Sequence, residues 1–249
     1  MNQPFLPKLV VRYPTDPAGI DALLPPGFSR WGDPMVQIGV YCVPVHGEPE
    51  HGISIKVPAT FEGEDGWYTL GIGIDQESAI FISQETNGQP KFPCDVTYFR
   101  IGDVVEARAV HQGTTFFEYR GTAGEDTTPA DASETQETEW WTKYSRAVGG
   151  AGGFDLEPRV VAVRTSGVPV RCTPIDGQLT LRQSPWDPVT HYLPATGPAH
   201  AELVTVQHTG RNISVAGLLA ADAFEPFADT IGGSRWPGER GAPKPLEPR

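Results

Sequence analysis

From residue 35 onward the chain repeats one pattern, in which short runs of Val, Ile, Thr and aromatic residues are separated by glycine and proline. MVQIGVYCV, GISIKVPATF, WYTLGIGID, SAIFISQ, DVVEARAV, TTFFEYRG, RVVAVRT, GQLTLRQ and AELVTVQHT all read this way. Several alternate apolar with polar positions, and period-two alternation places one face of a strand on a core and the other in a polar setting. The pattern therefore predicts a mainly β protein. Two segments carry helical signals instead. DPAGIDALLPPGF predicts a short helix with Asp16 as N-cap and Pro17 at its first position, stopped by Pro25 and Pro26. SVAGLLAADAFEPFADTI, opened by Ser214, has apolar residues at helical spacing and predicts a helix packed on the sheet near the C-terminus.

Two further stretches lack the apolar content that would offset ordering entropy. GTAGEDTTPADASETQETE, residues 121–139, is polar and acidic and reads as a long flexible loop or flap. Residues 232–249, rich in Pro, Gly and charge, read as a disordered tail. Residues 1–231 read as a single β domain without an internal repeat.

Composition then removes whole classes of function. A formal net charge of −12 leaves no basic footprint for phosphates, so nucleic acid is not an expected partner. Cys42, Cys94 and Cys172 lie far apart without a CxxC pair and read as free thiols. No run approaches the roughly 18 apolar residues of a membrane span, and the N-terminus has no basic segment followed by an apolar one. The expectation is a soluble cytoplasmic protein that contacts no membrane.

Within this frame the candidate chemistry centres on QETNGQPKFP, residues 84–93, where Lys91 stands alone as a positive charge after a strongly apolar segment. Two readings are open: a structural lysine paired with Glu85, or a desolvated nucleophile. An amine attacks a carbonyl only when neutral, and burial in an apolar site disfavours the ammonium. Pro90 fixes its own φ and restricts Gln89, which stiffens the backbone presenting the amine.

These residues resemble the signature of the acetoacetate decarboxylase superfamily: an acidic residue in a short loop, followed by a Pro-Lys pair whose lysine forms a Schiff base. Glu85 and Pro90-Lys91 stand at those places. VVRYPTDPAGIDALLPPGF resembles the family's first strand and helix, KVPATFEGEDGWYTLGIGIDQESAIF its proline-containing strand and hairpin, and GQLTLRQSPWDPVTHYLPA with HAELVTVQHT its closing segment. The resemblance implies curved antiparallel sheets closing around a central cavity, with a few peripheral helices. It also implies a catalytic Lys91 and Glu85, a small keto-acid substrate, no cofactor and a homo-oligomer.

The departures shape the expected reaction. Phe92 stands where the decarboxylase has a second lysine, which leaves desolvation as the way to activate the amine. No arginine is available near Leu6, where the family's decarboxylases carry one, and Lys8 is the nearest cation. Two acidic positions of the family fall near Gly39 and Gly52, and a small shift in HGEPEHG could bring Glu50 or His51 to the second. Decarboxylation needs a β-carboxylate held in line with the iminium, whereas enamine chemistry needs an acid/base and room for a second carbonyl. Aldol condensation with dehydration on a pyruvate-like keto acid is therefore the favoured reaction. Decarboxylation of acetoacetate or a related β-keto acid comes second, and a non-catalytic small-carbonyl binding protein third.

Phe92, Gln89, His51, Glu118 and Trp141 are the candidate substrate contacts. Plainer readings stand beside them. HGEPEHG is a polar surface loop more readily than a metal site, His111 and Glu118 can be ordinary strand residues, and Trp140 and Trp141 can be core. GIGI at 71–74 is a strand with glycines, not a phosphate loop.

Overall fold

The computed structural model describes residues 7–45, 47–127, 133–150 and 152–245. In chain order the elements are β1 (Lys8–Pro14), α1 (Pro17–Leu23), β2 (Phe28–Ser29), β3 (Met35–Val45), β4 (Glu48–Phe61), β5 (Glu64–Ile74), α2 (Ser78–Asn87) and β6 (Lys91–Pro93). Then follow β7 (Asp95–Ile101), β8 (Val104–His111), β9 (Thr114–Ala123), β10 (Thr135–Arg146), β11 (Phe154–Leu181), α3 (Val189–Tyr192), β12 (His200–Leu218) and α4 (Ala221–Phe224). A small hairpin of β13 (Gly238–Glu239) and β14 (Ala242–Pro243) comes last.

Twelve of these strands form one sheet in the order β10-β5-β4-β3-β1-β12-β11-β9-β8-β7, with β2 attached to β4 and β6 to β5. Because β10 also pairs with β11, the first seven strands of that order close into a ring. The length of β11, 28 residues, makes this possible: its first half pairs with β10, and Ile175–Leu181 pairs with β9 of the open part of the sheet.

Alternation sorts the side chains of the ring. Leu9, Val11, Val36, Ile38, Val40, Ile53, Ile55 and Val57 are buried on one face. They belong to one core with Ala107, Ala109, Phe116 and Phe117 of β8 and β9 and with Ile20 and Leu23 of α1. Each Val, Leu, Ile or Phe among them contributes about 1.5–3 kcal/mol relative to exposure. The opposite face carries Lys8, Gln37, Glu50, Ser54, Lys56, Thr69 and Lys91. Side chains of β4, β5 and β10 meet on it, with Lys56 and Thr69 both bonded to Glu139, so this face is the inside of the ring.

The helix over α1 forms as expected, with the Asp16 carboxylate accepting from Ala18 N. Four other expectations are corrected. SAIFISQ is not a strand but most of α2, closed by Gly88 in the left-handed region at φ 68°, with Gly88 N donating to Gln84 O. A short apolar run cannot be assigned by period alone, and here Ala79 and Ile80 pack inward while Phe81 and Ile82 stay exposed.

The helix opened by Ser214 is absent. Ser214 lies in β12, which pairs with β11 as far as Leu218, and within the segment only α4 and a 3-10 turn at Glu225–Phe227 are helical. The 121–139 segment is not wholly loop: β9 runs to Ala123 and β10 starts at Thr135, because Lys56 supplies a counter-charge for Glu137 and Glu139. The tail is ordered through residue 245. Trp236 is fully buried, and Arg235 donates to Gly88 O at 2.8 Å, Thr142 O at 2.7 Å and Thr142 Oγ1 at 2.8 Å. Residues 246–249 lie outside the described residues. No helix among the described residues is long and apolar enough to cross a membrane.

Candidate active site around Lys91

Three elements fix where Lys91 points. The left-handed turn at Gly88 ends α2 and sends the chain to β6, whose pairing with β5 is parallel and sets Lys91 beside Ile72. Ile72 N donates to Pro90 O at 2.8 Å, and Gln84 Nε2 to Lys91 O at 2.5 Å. Arg235 holds Gly88 O from the C-terminal segment. With the backbone so held, alternation sends Lys91 inward and Phe92 outward. Phe92 lies 4.7 Å from the His111 ring, and His111 Nδ1 is 2.8 Å from Asp187 Oδ2. Gly71 makes room for Phe92, since a Cβ there would sit 2.8 Å from Phe92 Cε1.

Lys91 is 7% exposed and its amine donates to Glu50 Oε2 at 3.3 Å; Glu50 is 3% exposed. Glu50 comes from β4, so HGEPEHG does supply an inward acid, although most of it is strand and not loop. His46 lies outside the described residues. Next along the inward face of β4 is Gly52, and the Tyr41 ring lies across it; a Cβ on Gly52 would overlap that ring. Burial, reinforced by the Glu50 and Glu139 carboxylates, pushes the Tyr41 phenol well above its usual range, so it keeps its proton.

Deeper along the same face lies a network of charges. Lys56 Nζ donates to Glu139 Oε2 at 2.7 Å and Glu137 Oε1 at 3.4 Å, while Thr69 Oγ1 and Trp141 Nε1 each donate to Glu139 Oε1 at 2.6 Å. Burial opposes the charge on Glu139, but the Lys56 cation and these hydrogen bonds outweigh it and hold the carboxyl at about 2. Lys56 is shifted up, its burial outweighed by the two carboxylates. Lys8 reaches the same face, and burial together with the Lys56 charge lowers its amine to about 8.

The other candidates are dispersed. Glu85 is exposed on α2 and makes no hydrogen bond or ion pair among the described residues, so the carboxylate facing Lys91 is that of Glu50. Gln89 is half-buried, and its carbonyl accepts from Lys91 N at 2.8 Å. His51 points away from Glu50, as neighbours in a strand do, and its Nδ1 lies 3.0 Å from Asp75 Oδ2. Glu118 sits on the outer sheet and accepts from Arg182 Nε at 3.0 Å. Of the five expected substrate contacts, only Trp141 faces the interior, where it holds Glu139. Among the described residues no three His, Cys, Asp or Glu side chains gather as metal ligands.

Tyr41, Lys56, Thr69 and Glu139 were not foreseen. A signal existed for one of them: in GISIKVPATF, Lys56 alternates, like Ser54, with Ile and Val, which marks a strand whose second face is polar and yet buried.

The family profile described as acetoacetate decarboxylase (ADC) matches residues 7–215. Among solved structures, an acetoacetate decarboxylase from Legionella pneumophila subsp. pneumophila str. Philadelphia 1 is 18% identical, with 87% of this chain and 86% of that chain covered and a TM-score of 0.70. The enduracididine biosynthesis enzyme MppR complexed with pyruvate is 16% identical over 85% of this chain and 91% of that one, with a TM-score of 0.64. An acetoacetate decarboxylase-like enzyme from Sphingomonas wittichii RW1 is 18% identical over 86% and 91%, with a TM-score of 0.65. No curated protein gives a significant match.

Proposed function

Because this chain belongs to the acetoacetate decarboxylase family, we propose that it is a Schiff-base lyase acting on a small keto acid through Lys91, by aldol condensation and dehydration. The observation that carries the reading is a nearly buried amine on the inner face of the ring, with one carboxylate 3.3 Å away. The neutral amine adds to the ketone carbon, and the carbinolamine loses water to give an iminium. Glu50 takes a proton from the carbon next to the iminium, leaving an enamine. The enamine carbon bonds to the carbonyl carbon of an aldehyde, whose oxygen takes up a proton. Glu50 removes the second proton from the carbon next to the iminium, the hydroxyl leaves with a proton as water to form a carbon-carbon double bond, and a water molecule then hydrolyses the iminium, which restores Lys91 and the product ketone.

Two features favour this exit over loss of CO₂. Glu50 and the protonated Tyr41 phenol form an acceptor and donor pair beside the amine, which proton transfers need. The charge in direct contact with Lys91 is the Glu50 carboxylate, and not a cation that would hold a β-carboxylate there. MppR, which shares the fold, has been solved with pyruvate and with the condensation product of pyruvate and imidazole 4-carboxaldehyde, and that chemistry is of the proposed kind. Decarboxylation of a β-keto acid is the second reading, supported by the decarboxylases that share the fold.

Borohydride reduction in the presence of pyruvate, followed by mass analysis, is the test. A stable adduct on Lys91 is expected in the native chain and none in Lys91→Arg, since arginine keeps the charge but stays protonated. An adduct elsewhere, or turnover retained by Lys91→Arg, refutes the Schiff-base reading. A Lys91 that forms no adduct with any keto acid points to a binding protein.

A further inference from the structure

Lys91 follows closely on the end of α2, and that end is held from outside the helix. The open carbonyls of a helix C-terminus favour cations, yet α2 carries no basic residue in its last turn. Two cations arrive from other elements instead. Lys143 of β10 donates to Thr86 O at 2.9 Å, and Arg235 of the C-terminal segment donates through Nη2 to Gly88 O at 2.8 Å. The same guanidinium reaches β10, with Nη2 2.7 Å from Thr142 O and Nε 2.8 Å from Thr142 Oγ1, and its Nη1 donates to Ser234 O at 3.1 Å. Arg235 N donates to Leu70 O of β5 at 2.6 Å. The fork of Arg235 thus serves backbone oxygens and one hydroxyl, and ties the end of α2 to β10 and β5.

The C-terminal segment also touches Lys91 itself. Gly233, at φ 87°, lies against the Lys91 carbonyl: a Cβ there would sit 2.6 Å from Lys91 O and overlap Gln84 Nε2, which donates to that oxygen. Between Gly88 and Lys91 the chain has little freedom. Gly88 is wedged against β10, where a Cβ would sit 2.6 Å from both Lys143 Cα and Thr142 O. Pro90 has a fixed φ, and Lys91 N donates to Gln89 O at 2.8 Å, closing a three-residue turn around it. A displacement of Gly88 is therefore passed on to Lys91.

We propose that Arg235 is a positioning residue for the reaction at Lys91: by holding Gly88 O it fixes the turn that aims the amine at Glu50 and at the bound ketone. Arg235 and Gly233 lie beyond residues 7–215, which the family profile matches, so part of the site's support comes from outside the matched region. The reaction that Arg235 serves rests on the Schiff-base reading; the fixing of the turn does not.

Arg235→Met keeps much of the stem and removes every donor of the fork. Leu23→Ala, at a buried position on α1, supplies a destabilised control with the turn intact. Both are compared with the native chain at a temperature where circular dichroism shows each folded. Deuterium exchange of the methyl protons of pyruvate, or of the α protons of another keto acid that the native chain traps, is followed by NMR at saturating concentration. A misplacement of about 1 Å far from the chemistry costs about 10² in rate, so Arg235→Met should exchange about 10²-fold more slowly per folded chain, and Leu23→Ala at the native rate. A native rate in folded Arg235→Met overturns the proposal. An equal loss in Leu23→Ala overturns it too, since the effect would then be one of stability alone. If Arg235→Met does not fold, Arg235→Lys takes its place: it keeps the charge without the fork, and a native rate there overturns the proposal. If the native chain traps no keto acid, the Schiff-base reading fails, and amide hydrogen exchange over residues 84–93 decides whether Arg235 fixes the turn. Exchange about tenfold faster in Arg235→Met, the scale of one hydrogen bond to a charged group, with Leu23→Ala unchanged, supports it; equal exchange overturns it.

Discussion

Replacing Glu50 by glutamine removes one negative charge from the interior and almost no volume. Lys91 Nζ then faces a neutral amide in a place where both side chains are less than a tenth exposed. Removing one partner of a buried pair costs about 3–5 kcal/mol, and the glutamine carbonyl, still able to accept a hydrogen bond, offsets about 1 kcal/mol of that. In a chain of this length each kcal/mol moves Tm by about 2–4 °C, so Glu50→Gln should melt roughly 8 °C lower. Glu85→Gln, exposed on α2, should change stability by no more than about 0.5 kcal/mol. Exchange of the pyruvate methyl protons for deuterium, followed by NMR against time, gives the chemical half of the comparison. Loss of a positioned acid/base slows it by about 10²–10⁴ in Glu50→Gln, while Glu85→Gln keeps the native rate. A Glu50→Gln that melts early but exchanges at the native rate would reduce Glu50 to a counter-ion of the fold. Slow exchange in Glu85→Gln would return the catalytic role to the acid that the sequence pattern singles out.

Two predictions concern the frame of the site. Trp236 is fully buried, so Trp236→Ala should cost about 3–5 kcal/mol in urea unfolding; native stability in this variant would restore the disordered-tail reading. Glu139 titrates at about 2 in the folded chain against 4.5 unfolded, so its ionisation adds about 3 kcal/mol of stability above pH 4.5 that is lost as pH falls toward 2. Urea midpoints from pH 7 to 3 should therefore fall less steeply in Glu139→Gln than in the native chain, and parallel curves would contradict the shift.

The sequence by itself determined the kind of protein this is. Period-two alternation in MVQIGVYCV, GISIKVPATF and WYTLGIGID is a local property of a strand with two unlike faces, and those strands are present as β3, β4 and β5. QETNGQPKFP likewise marked Lys91 and pointed to the family, because a Pro-Lys pair after an acidic residue is legible in a short window. Only the tertiary structure decided which groups stand around that lysine. Glu85 is near it in sequence, but α2 and the turn at Gly88 carry it to the surface. Glu50 is 41 residues away and meets it because β4 and β6 flank β5. Glu139 looks like part of a solvated acidic loop until Lys56, on another strand, makes its burial favourable. Local pattern specifies strands and faces, whereas the partners of a charge depend on contacts between residues far apart in sequence, which closure of the ring brings together.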